Sequence, residues 1–269
     1  ELCPNAAIII TGCYAELDGD YLEKINERIV ILPGSKKGFL TELAQAFPAN
    51  TISFEATQIK TWIKNQNDTK ENLSFRLSTD TFFSHSRASL KIQDGCNSAC
   101  SYCRVRLARG KAISLDAERV LERVRELEEK GHSEVVLTGI NLSQYLCSKT
   151  KQNFTSLLNY LIENTKKISF RISSLYPQSI DEAFCKLIRS PRIRPHFHLS
   201  VQSGSDTILK TMKRPYNAEK VKNAVHLIRQ AKKDVFIATD IIVGFPGESE
   251  NDFLETQKLC QELSFAWIH

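Results

Sequence analysis

From Ser89 to His269, apolar runs of strand length alternate with amphipathic stretches of helical length. This rhythm constrains the fold more than any other feature of the 269-residue chain. The strand candidates are Ser89–Gln93, Glu134–Thr138, Ile168–Ser173, His196–Gln202, Val235–Val243 and Phe265–His269. The helix candidates are Ala117–Lys130, Thr155–Asn164, Ser179–Arg189, Ala218–Lys232 and Glu250–Leu263. The first of these carries Val120, Leu121, Val124 and Leu127 on one face, with Asp116 at its start, where an acid complements the helix dipole. Successive strands joined through a helix run parallel, because only a crossover returns the chain to the same end of the sheet. The expectation is an α/β fold whose parallel sheet is open or closed into a barrel.

The first 64 residues read as a smaller α/β unit. Ala7–Gly12 is an apolar run closed by glycine, like a buried parallel strand, and Arg28–Leu32 is a second, stopped by Pro33-Gly34. Helical signals cover Tyr21–Ile25 and Phe39–Phe47, the latter with Leu40, Leu43, Ala44 and Phe47 at helical spacing. Residues 65–87 shift to Asn, Asp, Thr, Ser and Lys and read as a linker, which leaves 88–269 as the larger domain.

No apolar run approaches the roughly 20 residues of a membrane helix, and no signal peptide is visible, so the expected location is the cytoplasm. In that reducing setting, eight cysteines point to metal or redox chemistry rather than to a disulfide framework. Lys and Arg number 36 against 31 Asp and Glu, an excess that permits an RNA partner without requiring one.

Three of the cysteines fall in one loop directly after the first strand of the larger domain: Asp94-Gly95-Cys96-Asn97-Ser98-Ala99-Cys100-Ser101-Tyr102-Cys103. The C-x3-C-x2-C spacing gathers three thiolates. A four-iron cubane takes four ligands, so three leave one iron open. The alternatives are a zinc site, which would need a fourth Cys or His not found nearby, and three incidental buried cysteines.

This loop resembles the signature of the radical S-adenosylmethionine superfamily. The resemblance implies that Cys96, Cys100 and Cys103 bind a 4Fe–4S cluster, that S-adenosylmethionine chelates the open iron, and that an electron from the cluster yields a 5′-deoxyadenosyl radical. It implies cofactor contacts from Tyr102 beside the adenine and from the loops at the strand ends: Thr138 and Gly139, Ser173, Gln202 and Ser203, Val243 and Gly244. No side-chain general base is required, and none is assigned.

A wider set of motifs resembles the methylthiotransferases within that superfamily: Lys91–Cys96, Ala108-Arg109-Gly110, Leu199–Asp206, Leu209–Arg214 with Tyr216, and Asp240–Glu248. This likeness implies a partial amino-terminal domain followed by a partial (β/α)6, TIM-like radical barrel, with a carboxy-terminal RNA-binding barrel absent. It implies a second 4Fe–4S cluster for which Cys13, in Thr11–Ala15, is one ligand, the two others lying upstream of Glu1. Cys3, Cys147, Cys185 and Cys260 match no motif and read as structural. Leu137–Leu142 with Tyr145, and His196–Leu199, look most like the bacterial branch that acts on N6-threonylcarbamoyladenosine beside the tRNA anticodon. Arg106 and Arg109, in a basic stretch with Arg104 and Lys111, are the substrate-binding candidates, although such a run is also what a solvated surface looks like. Ala99 and Arg106 depart from the family pattern. The expected partners are the tRNA anticodon stem-loop, a reducing electron donor and a sulfur source. The rivals are methylthiolation of isopentenyladenosine or of a ribosomal-protein aspartate, and a non-catalytic iron–sulfur or RNA-binding module.

Overall fold

The computed structural model describes residues 6–47, 56–66, 75 and 87–269. Cys3 and most of the expected linker lie outside the described residues. The chain divides into two compact units, Glu1–Ser78 with Arg104–Gly110 and Thr79–Cys103 with Lys111–His269.

In the first unit β1 (Ile8–Thr11) and β2 (Ile29–Leu32) pair in parallel, Ile8 opposite Ile29 and Thr11 opposite Leu32. Helix α1 (Cys13–Ile25) makes the crossover. It begins eight residues before the expected Tyr21 because its first turns are broken by Asp18, whose backbone leaves helical geometry at φ −132°, ψ 30°. Gly19 suits that position, since a Cβ there would come within 3.3 Å of Ile31. Helices α2 (Leu40–Ala46) and α3 (Ala56–Asn65) cover the strands. Val30, Leu32, Leu43, Ile59 and Ile63 form the core, and Trp62 packs edge-on against Phe39 and Phe47. Helix α3 has no counterpart among the sequence expectations. The short α4 (Val105–Arg109) also belongs to this unit.

The second unit holds the strand–helix series. Its strands are β3 (Ala88–Lys91), β4 (Gln93–Asp94), β5 (Ile113–Ser114), β6 (Glu134–Thr138), β7 (Ser169–Ile172), β8 (Ser174–Leu175), β9 (His196–Gln202), β10 (Phe236–Ile241) and β11 (Trp267–Ile268). Strands β3, β6 and β7 form one parallel sheet; β8, β9, β10 and β11 form another; β4 and β5 make a small antiparallel pair. The expected third strand, Ile168–Ser173, corresponds to β7, which hydrogen-bonds back to β6. The short β8 follows Ser173, outside that expectation, and hydrogen-bonds forward to β9. The parallel α/β expectation holds.

Helices α5 (Ala117–Glu129), α6 (Phe154–Asn164), α7 (Glu182–Ile188), α8 (Asp206–Thr211), α9 (Ala218–Ala231) and α10 (Glu250–Leu263) connect the strands. Their starts are set by side chains that accept otherwise unpaired backbone N–H groups: Asn153 for α6, Asp181 for α7, Ser205 for α8, Asn217 for α9, and a reciprocal Ser249–Asp252 box for α10. Strand β9 alternates cleanly. Phe197, Leu199 and Val201 are buried on one face, and Phe197 meets Phe184 of α7. His196, His198 and Ser200 line the other face, where His198 bridges Ser174 at 2.6 Å and Asp240 at 3.3 Å. That polar face ends at the loops which carry the cysteines and glycines. Among the described residues, no helix is long and apolar enough to cross a membrane.

Candidate active site

The cysteine loop begins where β4 ends. Gly95 takes a φ of 67°, a left-handed conformation that glycine adopts without strain. Gln93 organises the turn from below: fully buried, it donates to the carbonyls of Asp94 at 2.9 Å and Gly95 at 2.8 Å. Asp94 accepts from the Gly95 N–H at 2.8 Å and pairs with Lys91 at 2.8 Å. Gln144, beyond β6, fastens the middle of the loop by accepting from Asn97 N–H at 2.8 Å and donating to Ser98 Oγ at 2.9 Å. Ser101 is tied by its N–H to the Met212 carbonyl at 3.2 Å and by its hydroxyl to the Thr211 carbonyl at 2.9 Å.

Cys96 and Cys100 are buried, Cys103 is exposed, and all three are free thiols. Nitrogen donors surround the two buried sulfurs. Ser98 N–H lies 3.4 Å and Asn141 Nδ2 3.9 Å from Cys96 Sγ, and Arg214 Nη1 lies 3.3 Å from Cys100 Sγ. Such donors stabilise thiolates and the anionic clusters they hold. Among the described residues, no three His, Cys, Asp or Glu side chains are gathered closely enough to hold a metal ion.

The remaining strand-end residues gather in part. Tyr102 meets the Phe245 ring edge-on at 6.3 Å, which brings the end of the cysteine loop to the loop after β10. Burial pushes the Tyr102 phenol up to about 12, against the lowering effect of Arg214, so it stays neutral at ordinary pH. In the β10 loop Val243 is 62% exposed, an apolar side chain left open. Gly244 follows with φ 75°, and Glu248 closes the turn by accepting the N–H groups of Gly244 at 2.5 Å and Phe245 at 3.2 Å. Thr138 ends β6 and accepts from Ile92 N–H at 2.9 Å, and Gly139 sits against Gln93 and Leu142. The Ser173 hydroxyl is buried and has no hydrogen-bond partner among the described residues. A buried polar atom left without a partner calls for an explanation, and Ser173 lies at a strand end, where parallel α/β folds bind ligands.

Gln202 takes a positive φ of 77° and turns the chain out of β9. Ser203 is fully buried, and its hydroxyl meets Thr256 Oγ1 at 3.1 Å and accepts from Ser205 N–H at 3.1 Å. It thus fastens the β9 loop to α10. Cys13, Arg106 and Arg109 fall in the first unit. There Arg109 Nε points at Cys13 Sγ from 3.4 Å, and Arg106 occupies the last turn of α4. Cys147 and Cys185 are buried and Cys260 half-buried. Cys147 caps Asp116 with its thiol at 3.8 Å, a packing role.

Sequence reasoning gave no site role to Gln93, Asn141, Tyr176 or Arg214. Arg214 and Tyr216 stood inside a quoted motif, but nothing local says that Arg214 reaches a sulfur 114 residues away. A surface groove of about 830 Å³ between α9 and α10 shares no residue with the cysteine loop.

The model of the Radical SAM superfamily matches residues 90–260, which include the cysteine loop and the ends of β6, β7, β9 and β10. The chain belongs to the radical SAM superfamily. Membership in the superfamily brings a 4Fe–4S cluster and S-adenosylmethionine as cofactors.

Relatives narrow the likeness. The chain is 38% identical over 99% of its length to the threonylcarbamoyladenosine tRNA methylthiotransferase MtaB of Treponema pallidum, and 37% identical over 99% to that of Aquifex aeolicus. It is 33% identical over 95% to a tRNA-2-methylthio-N(6)-dimethylallyladenosine synthase of Fusobacterium nucleatum. It spans 65%, 63% and 57% of those relatives' lengths.

Among solved structures, the cobalamin-dependent S-adenosylmethionine radical enzyme OxsB matches 94% of this chain and 38% of its own, with a TM-score of 0.65 and 11% identity. The radical S-adenosylmethionine methyltransferase TsrM of Kitasatospora setae matches 68% of this chain and 35% of its own, at TM-score 0.57 and 16% identity. These two likenesses concern the fold alone.

Proposed function

We propose that this chain is part of a cytoplasmic tRNA methylthiotransferase that places a methylthio group at C2 of N6-threonylcarbamoyladenosine beside the anticodon, on a partial (β/α)6 barrel. The observation that carries the reading is the cysteine loop itself: three free thiols on one loop, N–H donors at two of the sulfurs, and a buried hydroxyl at Ser173 with no partner among the described residues. The relatives at 37% and 38% identity support the substrate class.

In this reading Cys96, Cys100 and Cys103 would hold the 4Fe–4S cluster, and Cys13 is one ligand of a second. When bound, the cluster and S-adenosylmethionine supply a hydrogen-abstracting radical. The protein's part is to bind, orient and exclude water. Tyr102 and Val243 offer neutral, apolar surface for an adenine ring, and Gly244 and Gly139 allow close backbone approach. Thr138 and Ser173 supply polar groups at neighbouring strand ends. Gln202 and Ser203 hold the β9 loop that faces them. Arg106 and Arg109 engage RNA phosphates, which position the substrate without reading its sequence. A low-potential electron donor and a sulfur source complete the partners.

Replacement of Cys96, Cys100 and Cys103 by Ala should remove one cluster's iron and all 5′-deoxyadenosine formation; unchanged iron would sink the cluster assignment. Mass spectrometry of tRNA nucleosides from cells lacking the gene should show the methylthio mark gone from the threonylcarbamoyl nucleoside alone. The likeness to the dimethylallyladenosine enzyme supports a second reading. Loss of the mark from the isopentenyl nucleoside instead would establish that second reading in place of the first.

A further inference from the structure

Arg214 follows α8 and is only 9% exposed, yet among the described residues no partner of its guanidinium is a carboxylate. Nε donates to Tyr216 Oη at 2.6 Å and Nη2 to the Ser200 carbonyl at 2.9 Å. Nη1 faces Tyr176 Oη at 3.0 Å, Cys100 Sγ at 3.3 Å and Tyr102 Oη at 3.4 Å. The guanidinium also lies over two rings, 4.1 Å from the centre of Tyr176 and 4.9 Å from that of Tyr216. Tyr216 is itself anchored, since its hydroxyl donates to the Ser200 carbonyl. All three tyrosine partners are phenols, which are uncharged at ordinary pH.

Burying a cation among neutral groups is expensive unless an anion compensates it. Among the described partners of Arg214, the atom able to carry that negative charge is the Cys100 sulfur. Three tyrosines fix the planar fork so that it cannot swing to solvent, and the fork delivers one N–H to the sulfur. A lysine could not satisfy these directions at once.

We propose that Arg214, caged by Tyr102, Tyr176 and Tyr216, is a positioning residue that raises the reduction potential of the cluster held through Cys100. It does so by an N–H···S bond and a fixed positive charge at that ligand. The proposal rests on the reading of Cys96, Cys100 and Cys103 as cluster ligands. The step it tunes is the entry of one electron from an external low-potential donor, which takes the cluster from the 2+ to the 1+ state with no bond broken and no proton moved. Reduction adds one negative charge, and a cation and a hydrogen-bond donor at the sulfur favour the more negative state. Sequence spacing alone does not reveal this residue, because the cage is assembled from the cysteine loop, the segment after β8, and the segment after α8.

The test is a redox titration of the full-length protein, reconstituted with iron and sulfide and poised with dithionite. It is read from the electron paramagnetic resonance signal that added S-adenosylmethionine perturbs. Arg214→Gln should lower the reduced-to-oxidised ratio about tenfold at a fixed poise, which is about 59 mV for a one-electron couple. Arg214→Lys keeps the charge but loses the fork, and should lower the ratio about threefold. Iron content and the visible spectrum report whether each variant is loaded. Loaded variants that titrate at the wild-type potential overturn the proposal. If Arg214→Gln does not load, Arg214→Lys decides, and a wild-type potential in it overturns the proposal alone. Iron that is indifferent to replacement of the three cysteines overturns the cluster reading and this proposal with it.

Discussion

The side-chain oxygen of Gln93 accepts the backbone N–H of Asn141 at 2.8 Å, across 48 residues of sequence. The same side chain donates to the Asp94 and Gly95 carbonyls. One buried amide therefore joins the cysteine loop to the loop that follows β6, and Asn141 in turn directs its own amide at Cys96. Gln93→Leu keeps the bulk and leaves three buried backbone groups unpaired. Each such group costs about 1–3 kcal/mol, and partial relaxation brings the expected total to about 3 kcal/mol. Urea unfolding should show the midpoint fall with an unchanged slope. An unshifted midpoint would mean that the loop is held by other means.

Two glycines separate a soft neighbour from a hard one. A Cβ on Gly204 would lie 2.6 Å from Thr256 Cα and 2.9 Å from the Glu255 carbonyl, both backbone atoms of α10. A Cβ on Gly139 would meet side chains of Leu142 and Gln93 at 2.9 and 3.0 Å. Overpacking costs about 1–3 kcal/mol where side chains can shift, and more where they cannot. Gly204→Ala should therefore lower the melting temperature more than Gly139→Ala. Equal melting temperatures would contradict the close approach of β9's loop to α10.

Glu128 gives the fold an acid-sensitive joint. Its carboxylate accepts the N–H groups of Lys166, Lys167 and Ile168 at 3.1, 2.5 and 2.8 Å. Burial by itself would raise this carboxyl, but the three backbone donors outweigh it and hold it below the ordinary range. A depressed folded-state value means stability that is fully present above the unfolded value, near 4.3, and is lost as the pH falls through the folded value. Glu128→Gln should cost about 1 kcal/mol at neutral pH, since the site is partly solvated. The gap between the two proteins should start to narrow as the pH falls to the unfolded value and should close once it has fallen below the lower folded value. A gap independent of pH would show that the carboxylate's charge plays no part.

Arg106, near the end of α4, tests the RNA reading. Arg106→Ala should weaken tRNA binding uniformly across sequences and reduce the slope of log affinity against log salt by about one. A sequence-selective loss with an unchanged slope would argue against a phosphate contact. Arg109 is the contrasting case. Its guanidinium is directed at Cys13, so Arg109→Ala should change the reactivity of that thiol toward an alkylating probe as well as RNA affinity.

Much was already legible along the chain. Strand β6, strand β9 and helix α10 start and stop where alternation, apolar spacing and the Ser249 cap place them. The C-x3-C-x2-C loop stands out as a candidate site because three cysteines close together on one loop have few other uses. Such features are local, and period and capping are written in neighbouring residues. Helix α1 was half hidden because Asp18 breaks its geometry. Helix α8 was missed because six residues carry too little periodicity.

The order and parallel sense of the strands, and the thiols at the end of the first, followed from sequence by itself. The tertiary structure alone decided which distant side chains serve those thiols. Parallel pairing brings the carboxyl ends of successive strands together, so that Gln93 meets Asn141, Tyr102 meets Phe245 and Arg214 meets Cys100. Those meetings depend on register and on the close fit of buried side chains, and neither leaves a mark in the spacing of nearby residues.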